Sequence, residues 1–420
     1  MLGRPGHRAT TATLQAVYPF VAEGGLGGRG TYVGRDLYGG SFCFDAFTLY
    51  ADGALSNPNM LVIGAVGSAK SSLVKTFLLR QAVFGRQAWI VDPKGEYGPL
   101  ARALGAEPIR LAPGGGITIN PLSRRVGWEG QLGLLLAVGS AAIARDLDPE
   151  EQAALREALA VLDQASLLEP TLPEVVSLLF KPTAEMADRL STTPIDVARA
   201  ARPVALGLQR LCEGELRGMF DGPTTAALDT EAPAVVLDLS AVYHSAALGI
   251  LMTCAAAWQR GAIAERHAKA DREGLPAPKV INVADEAWKV IAVAGIGEWL
   301  QDAFKRSRAY GVQNLIVLHR LSDLSAAGDL GTRERALAEG LLHDAQTRVV
   351  YCQYEDELPR TRELLGLTTT ESRIVGELDP GVALWKVGRR SFLVQHRLSP
   401  MELDLVDTDA RMLDTGVRRG

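Results

Sequence analysis

The chain has 420 residues, 47% hydrophobic and 22% charged, which supports two or three domains with a sizeable core and excludes global disorder. A formal net charge of -5 and a pI of about 5.8 argue against a protein that coats nucleic acid by bulk charge, while leaving room for a small basic pore lining. Four scattered cysteines (Cys43, Cys212, Cys254, Cys352) have no CxxC spacing, so a reducing cytoplasm is expected rather than a zinc site or disulfide framework.

Residues 1–20 lack periodicity and an apolar signal core and are expected to form an extended arm. Residues 21–56 are rich in Gly, Tyr and Phe, the pattern of a small β-rich region with glycine-broken strands. Asn57-Pro58-Asn59 opens the core. Met60–Ile63 is an apolar run, 72–84 has helical spacing, and Ala88–Val91 is a second apolar run ending in Asp92. That is a strand–loop–helix–strand unit, the start of a parallel α/β sheet. The character changes after Asn120-Pro121. Residues 127–220 are dominated by Leu, Ala, Glu and Arg, with breaks at Pro149, Pro170, Pro173, Pro182 and Pro194. Residues 144–200 carry eleven acidic side chains against five basic ones, so an acidic all-helical insertion is predicted here. The apolar runs Leu132–Ala144 and Ala246–Trp258 fall short of the roughly 20 residues of a membrane span and read as buried helices. With no transmembrane segment of its own, the chain is expected to reach a membrane only through partners.

Strand patterns resume at Ala234–Leu239, Val280–Ala284, Leu315–Leu318 and Arg348–Tyr351, with helices at 245–270 and 296–310 and an alternating hairpin at 381–395. The predicted organisation is an ATPase core in two segments, 57–126 and 221–400, interrupted by the insertion 127–220 and followed by a tail, 401–420. The fold class is α/β with a mostly parallel sheet, an all-α insertion and a small N-terminal β region.

Three separated segments carry the chemistry. Gly64-Ala65-Val66-Gly67-Ser68-Ala69-Lys70-Ser71 has the spacing of a Walker A loop. Its glycines let backbone N–H groups turn towards phosphate oxygens, and the following helix, beginning with Ser71 and Ser72, offers its positive end to the same anion. Lys70 is expected to bridge the β- and γ-phosphates of ATP and Ser71 to ligate Mg2+. The competing reading is an ordinary glycine-rich turn. Ala69 stands where the motif has glycine; a helical conformation there makes alanine cheap, whereas a positive φ costs roughly 1–2 kcal/mol. Asp285-Glu286 follows an apolar strand in the manner of a Walker B pair, Asp285 for the metal and Glu286 to orient and polarise water. A surface acidic pair is the alternative. Trp288 wedges against a helix or a neighbouring subunit, or simply packs. Asp92-Pro93-Lys94-Gly95-Glu96-Tyr97 closes the second strand at the crevice end of the sheet, so Asp92 and Glu96 face either phosphates or a subunit contact, unless the segment is only a polar turn.

DPKGEY after a Walker A strand, then a distant DEAW, resembles the HerA/FtsK superfamily of ring ATPases, and within it the conjugation and type IV secretion ATPases of the VirB-four/TraC class. Supporting segments are Phe220–Thr225, Leu237–Ser240, Arg308–Gly311 and Leu318–Leu324, so the likeness covers roughly residues 30–400. The acidic helical insertion is similar to that class as well. The resemblance implies a RecA-like core, a hexameric ring, ATP and Mg2+ as cofactors, and hydrolysis coupled to moving a substrate or assembling a secretion channel. The implied partners are inner-membrane channel proteins, a coupling protein and, as a candidate substrate, DNA; the implied location is cytoplasmic, peripheral to the membrane. His319 departs from the family, which more often has glutamine near the γ-phosphate; histidine can still donate a hydrogen bond there, or it is a residue packed at a strand end. The family's long N-terminal domain has little room before this phosphate loop, which implies a short form or a separate chain supplying that function. Ring ATPases need a cation from the next subunit. Arg306 and Arg308, in the basic run Lys305–Arg308, are the first candidates, with Arg320, Arg360 and Arg373 as competitors and a solvated helix face as the plain reading.

Two other functions remain open at this level: a HerA/FtsK-like DNA translocase, and a nucleotide-binding assembly scaffold with little turnover. Ala69 and His319 favour the scaffold. The intact Lys70, Ser71, Asp285 and Glu286 oppose it.

Overall fold

The computed structural model describes residues 25–165, 169–225, 229–245, 247–291, 301, 304–305, 310–322 and 332–406. The expected arm (1–20), most of the expected helix 296–310, both leading arginine candidates and the end of the tail lie outside these residues.

Among the described residues, eleven strands form one sheet: β1 (Thr31–Asp36), β2 (Ser41–Phe44), β3 (Met60–Ile63), β4 (Gln87–Asp92), β5 (Ile109–Arg110), β6 (Ala234–Asp238), β7 (Val280–Ala284), β8 (Val312–Leu318), β9 (Thr347–Val350), β10 (Val382–Val387) and β11 (Arg390–His396). Their order is β2-β1-β11-β10-β9-β3-β8-β7-β4-β6-β5. From β9 to β5 every neighbouring pair is parallel, and from β9 back to β2 every pair is antiparallel. The parallel strands β3, β4 and β8 are buried along their whole length, as strands covered on both faces must be.

Register fixes the site. Ile63 of β3 lies opposite Leu318 of β8, Ile316 of β8 opposite Ala284 of β7, and Ala284 opposite Val91 of β4. Four adjacent strands therefore end together, and the chain segments that leave them begin at one crevice.

The N-terminal β region extends the main sheet. β1 pairs with β11, and Phe42 and Phe44 pack on Trp385 of β10 with ring centroids 5.2 and 5.3 Å away. Gly34 is required at that junction, because a Cβ there would sit 2.0 Å from the Gln395 carbonyl oxygen.

The insertion consists of helices Gly127–Ile143, Pro149–Ala165, Leu172–Phe180, Ala184–Arg189 and Pro194–Glu213. Three of its prolines act as starts: Pro149 opens one helix, while Pro173 and Pro194 sit in the first turns of two others, where a missing N–H costs nothing. Thr171 and Glu174 add a reciprocal capping box. The insertion has no core of its own. Leu134, Leu135, Val204 and Leu208 belong to one buried cluster with Trp89, Leu237 and the helix Leu248–Glu273. Among the described residues, Arg124–Ile143 is the one stretch long and apolar enough to cross a membrane, and half of it is buried in the fold.

The expected tail begins as a helix, Pro400–Val406, fastened to the helix that follows the phosphate loop, Lys70–Ala82. Arg80 donates to both oxygens of buried Glu402, at 2.7 and 2.6 Å, and to the carbonyls of Tyr32 and Arg397, at 2.7 and 2.6 Å. Burial raises the Glu402 pKa, but the Arg80 and Ser399 hydrogen bonds outweigh it and hold the carboxyl below its ordinary value. The pair therefore stabilises the fold above the ordinary glutamate pKa and loses that effect as pH falls through the depressed one. Arg80→Ala is expected to cost about 3 kcal/mol, because Glu402 is left buried without its cation. Denaturant titration checks this, and the difference from wild type should narrow on acidification.

Candidate nucleotide and metal site

The phosphate loop leaves β3 and turns into the helix Lys70–Ala82. Gly64 has no room for a side chain, since a Cβ would lie 2.5 Å from that of Tyr351 and 2.8 Å from Ser68 Oγ. Gly67 has φ +79. Ala69 adopts φ 76, ψ 23, so the costly alternative holds: alanine occupies a left-handed position at roughly 1–2 kcal/mol. The helix has no side-chain cap, leaving its first N–H groups directed at the loop. Ser68 Oγ is buried without a hydrogen-bond partner. The loop is fastened from behind: Ala65 N donates to the Cys352 carbonyl at 2.9 Å, and Gly381 N to the Ser68 carbonyl at 3.3 Å. Lys70 is buried, with its ammonium donating to the carbonyls of Gly64 and Ala65 at 2.5 and 2.8 Å. Burial lowers its pKa to about 8, with Asp285 opposing the shift and Lys94 adding to it. Ser71 and Ser72 are half-buried in the first turn. Uncapped N–H groups, an orphaned hydroxyl and a buried ammonium together make a cradle for a polyphosphate.

Asp285 and Glu286 leave the end of β7, both buried. Asp285 Oδ1 accepts from Glu286 N at 2.9 Å and Oδ2 from Tyr97 Oη at 3.1 Å. Burial and the Glu286 charge raise its pKa, an imbalance that a cation relieves. Glu286 has φ 54, a left-handed conformation for a non-glycine residue. Its Oε1 meets both Lys94 Nζ and His319 Nε2, the latter at 2.8 Å, and its Oε2 accepts from Trp288 Nε1 at 2.5 Å. Burial acts to raise the Glu286 pKa, but the His319 and Lys94 hydrogen bonds prevail and bring it to about 2. It is therefore ionised at any working pH. His319, just past β8, lies between β3 and β7 and has its Nδ1 buried without a partner.

The segment Asp92–Tyr97 is more than a polar turn. Asp92 is buried, and both carboxylate oxygens serve the loop's own backbone: Oδ1 accepts from the N–H groups of Lys94 and Gly95 at 3.1 and 2.8 Å, and Oδ2 from that of Tyr97 at 2.9 Å. Asp92, expected to face phosphates or a subunit contact, gives its carboxylate to the N–H groups of the loop it holds. Burial raises its pKa to about 6, with the three N–H bonds working against the shift. The folded loop delivers Tyr97 to Asp285 and Lys94 to Glu286. Glu96 is half-buried and interacts electrostatically with Lys75, whose ammonium lies 5.8 Å from the Tyr97 ring. Lys94 and Tyr97 are the functional groups that sequence reasoning did not single out, and Trp288, expected to wedge against a helix or a neighbouring subunit or simply to pack, gives its indole N–H to Glu286.

Arg306 and Arg308 lie outside the described residues. Of their competitors, Arg320 stacks on Tyr354, Arg360 lies 3.7 Å from Glu339, and Arg373 is exposed.

A glycine-rich loop leaving β3 and a buried carboxylate pair leaving β7, with β8 between them in the parallel part of the sheet, belong to a RecA-like P-loop fold. The chain is similar to VirB4 of Thermoanaerobacter pseudethanolicus, with a TM-score of 0.70 and 22% identity over 90% of this chain and 99% of that one. It is also similar to the plasmid coupling protein TrwB in complex with ADP and Mg2+, with a TM-score of 0.59 and 17% identity over 88% and 91% of the two chains. TrwB in complex with the non-hydrolysable ATP analogue ADPNP gives a TM-score of 0.54 at 17% identity, over 81% and 85%. No protein-family model and no curated protein matches the chain.

Replacing Ala69 by glycine removes the left-handed penalty and adds chain entropy to the unfolded state, for a net gain of up to about 1 kcal/mol. The melting temperature of Ala69→Gly is expected to rise; a fall would mean that the loop uses the methyl group for packing.

Proposed function

We propose that this chain is an ATP-hydrolysing motor of a conjugative or type IV secretion-like system. The observation that carries the reading is the convergence of Lys70, Asp285, Glu286 and His319 at the ends of β3, β7 and β8, three adjacent strands. Lys70 and the loop N–H groups hold the β- and γ-phosphates, with Gly64, Gly67, Ser68, Ala69 and Ser72 shaping the cradle. Mg2+ suits the donor set, since it takes one or two protein oxygens and completes its shell with phosphate and water. Ser71 and Asp285 would hold it, and when bound it would supply charge that neutralises the triphosphate. Glu286 orients a water for attack on the γ-phosphorus; the bond to the bridging oxygen breaks, and ADP leaves with its electron pair. His319 steadies Glu286 from the strand between. A homo-hexameric ring places a neighbour's arginine, Arg306 or Arg308, against the γ-phosphate. The ring works at the inner face of the membrane through channel proteins and a coupling protein.

The similarity to VirB4 and to a coupling protein over most of both chains supports a secretion or conjugation motor. The net charge of -5 supports a substrate other than bulk DNA, and the presence of Lys70 and Ser71 together with both carboxylates, Asp285 and Glu286, supports turnover over a passive scaffold.

Phosphate release by wild type, Lys70→Ala and Glu286→Gln, with and without single- and double-stranded DNA, tests the reading. Lys70→Ala should lose triphosphate binding. Glu286→Gln should bind ATP and hydrolyse it at least about a hundredfold more slowly. Unchanged turnover in either variant overturns the assignment of that residue, and strong stimulation by DNA moves the reading to a translocase.

A further inference from the structure

Glu286 is over-committed for a residue that must take hold of a water. Three donors from three segments share its two oxygens: Lys94 and His319 on Oε1, and Trp288 on Oε2. Two donors fill Oε1 and one of the two acceptor sites on Oε2 is taken, so the withdrawal of a donor frees Oε1 to orient a water. The indole of Trp288 is held within the same turn and lies under the Lys289 ammonium, 4.6 Å from its ring centroid. The His319 ring is fixed at the end of β8. Lys94 differs from both. Its backbone is pinned by Asp92, but its side chain is a flexible cation, 28% exposed, reaching Glu286 from the crevice. It is also close enough to Lys70 for the two ammonium groups to repel. One cation thus stands between the carboxylate that acts on water and the lysine that holds phosphate.

We propose that Lys94 is a positioning residue that holds Glu286 until the γ-phosphate of a nucleoside triphosphate competes for its ammonium, so that the glutamate is released by a triphosphate and not by a diphosphate. The inference rests on the ATPase reading above. A γ-phosphate carries more negative charge than a single carboxylate and offers several acceptor oxygens, so the exchange favours the phosphate when the third phosphoryl group is present. A diphosphate leaves that position without an anion, and the Lys94–Glu286 pair stays closed.

The test is a double-mutant cycle read in binding. The affinities of a non-hydrolysable ATP analogue and of ADP, both with Mg2+, are measured for wild type, Lys94→Met, Glu286→Gln, the double variant and Lys94→Arg, with the melting temperature of each as a folding control. Lys94→Met is expected to lower the preference for triphosphate over diphosphate by about tenfold, and Lys94→Arg to keep most of it. Glu286→Gln frees the ammonium and is expected to raise the preference by about tenfold, a gain that vanishes when Lys94→Met is added. Additive effects, or an unchanged preference in Lys94→Met, overturn the role of Lys94 while leaving the ATPase reading intact. Wild-type protein that binds neither nucleotide overturns both.

Discussion

Three backbone N–H groups converge on one buried carboxylate, and the site depends on that convergence. Asp92 ends β4 in the middle of the parallel sheet and wraps the next five residues around its own side chain. The wrapped loop carries two side chains into the crevice, each to a different member of the acidic pair on β7. Tyr97 holds Asp285, and Lys94 holds Glu286. Charge-assisted hydrogen bonds of this kind contribute about 1.5–3 kcal/mol each, enough to keep a carboxylate ionised against burial that moves its pKa upward. The loop therefore places both carboxylates relative to the phosphate loop through Tyr97 and Lys94.

The same crevice solves a charge problem. Asp92, Asp285 and Glu286 are buried within one region, and like charges in a poorly solvated space repel strongly. Lys70, Lys75 and Lys94 lie among them and set the balance. A triphosphate with Mg2+ brings more charge of both signs to the same place, so it is compatible with this arrangement only if some existing pairs are exchanged. The left-handed backbone at Glu286 and the crowding of its oxygens mark the pair most open to exchange. Ala69 is strained for a different reason. The loop geometry demands positive φ, and alanine accepts it at a cost that the fastenings to Cys352 and Gly381 outweigh.

Much of this was legible in the sequence because it is local. The run Met60–Ile63 followed by the loop 64–71 announces a strand and a glycine-rich turn, and Val280–Ala284 before Asp285-Glu286 announces a strand ending in a carboxylate pair. The strands 87–92, 234–238, 312–318 and 347–350 appear as short apolar runs, and the structure places each within one or two residues of the expected position at most ends. β8 is the exception, beginning at Val312 because Gln313 and Asn314 are buried polar residues that interrupt the apolar signal. β5 is two residues long and leaves no pattern. The joining of β1 to β11 is a long-range pairing that no local periodicity encodes. The orientation of Asp92 was illegible for a related reason: an aspartate at a strand's end points to ligand or to loop according to backbone turns that Gly95, at φ +72, makes available. Lys94 and Tyr97 stood in plain view in the motif, but their partners lie far away in sequence.

The measurement that bears most directly on this account separates nucleotide affinity from turnover in Asp92→Ala. If Asp92 acts by folding the loop that holds Asp285 and Glu286, diphosphate affinity stays within a few-fold of wild type, because Lys70 and the phosphate loop are untouched, while triphosphate hydrolysis falls by at least about tenfold. Loss of affinity in proportion to the loss of turnover would place Asp92 on the nucleotide after all, and unchanged turnover would remove the loop from the mechanism.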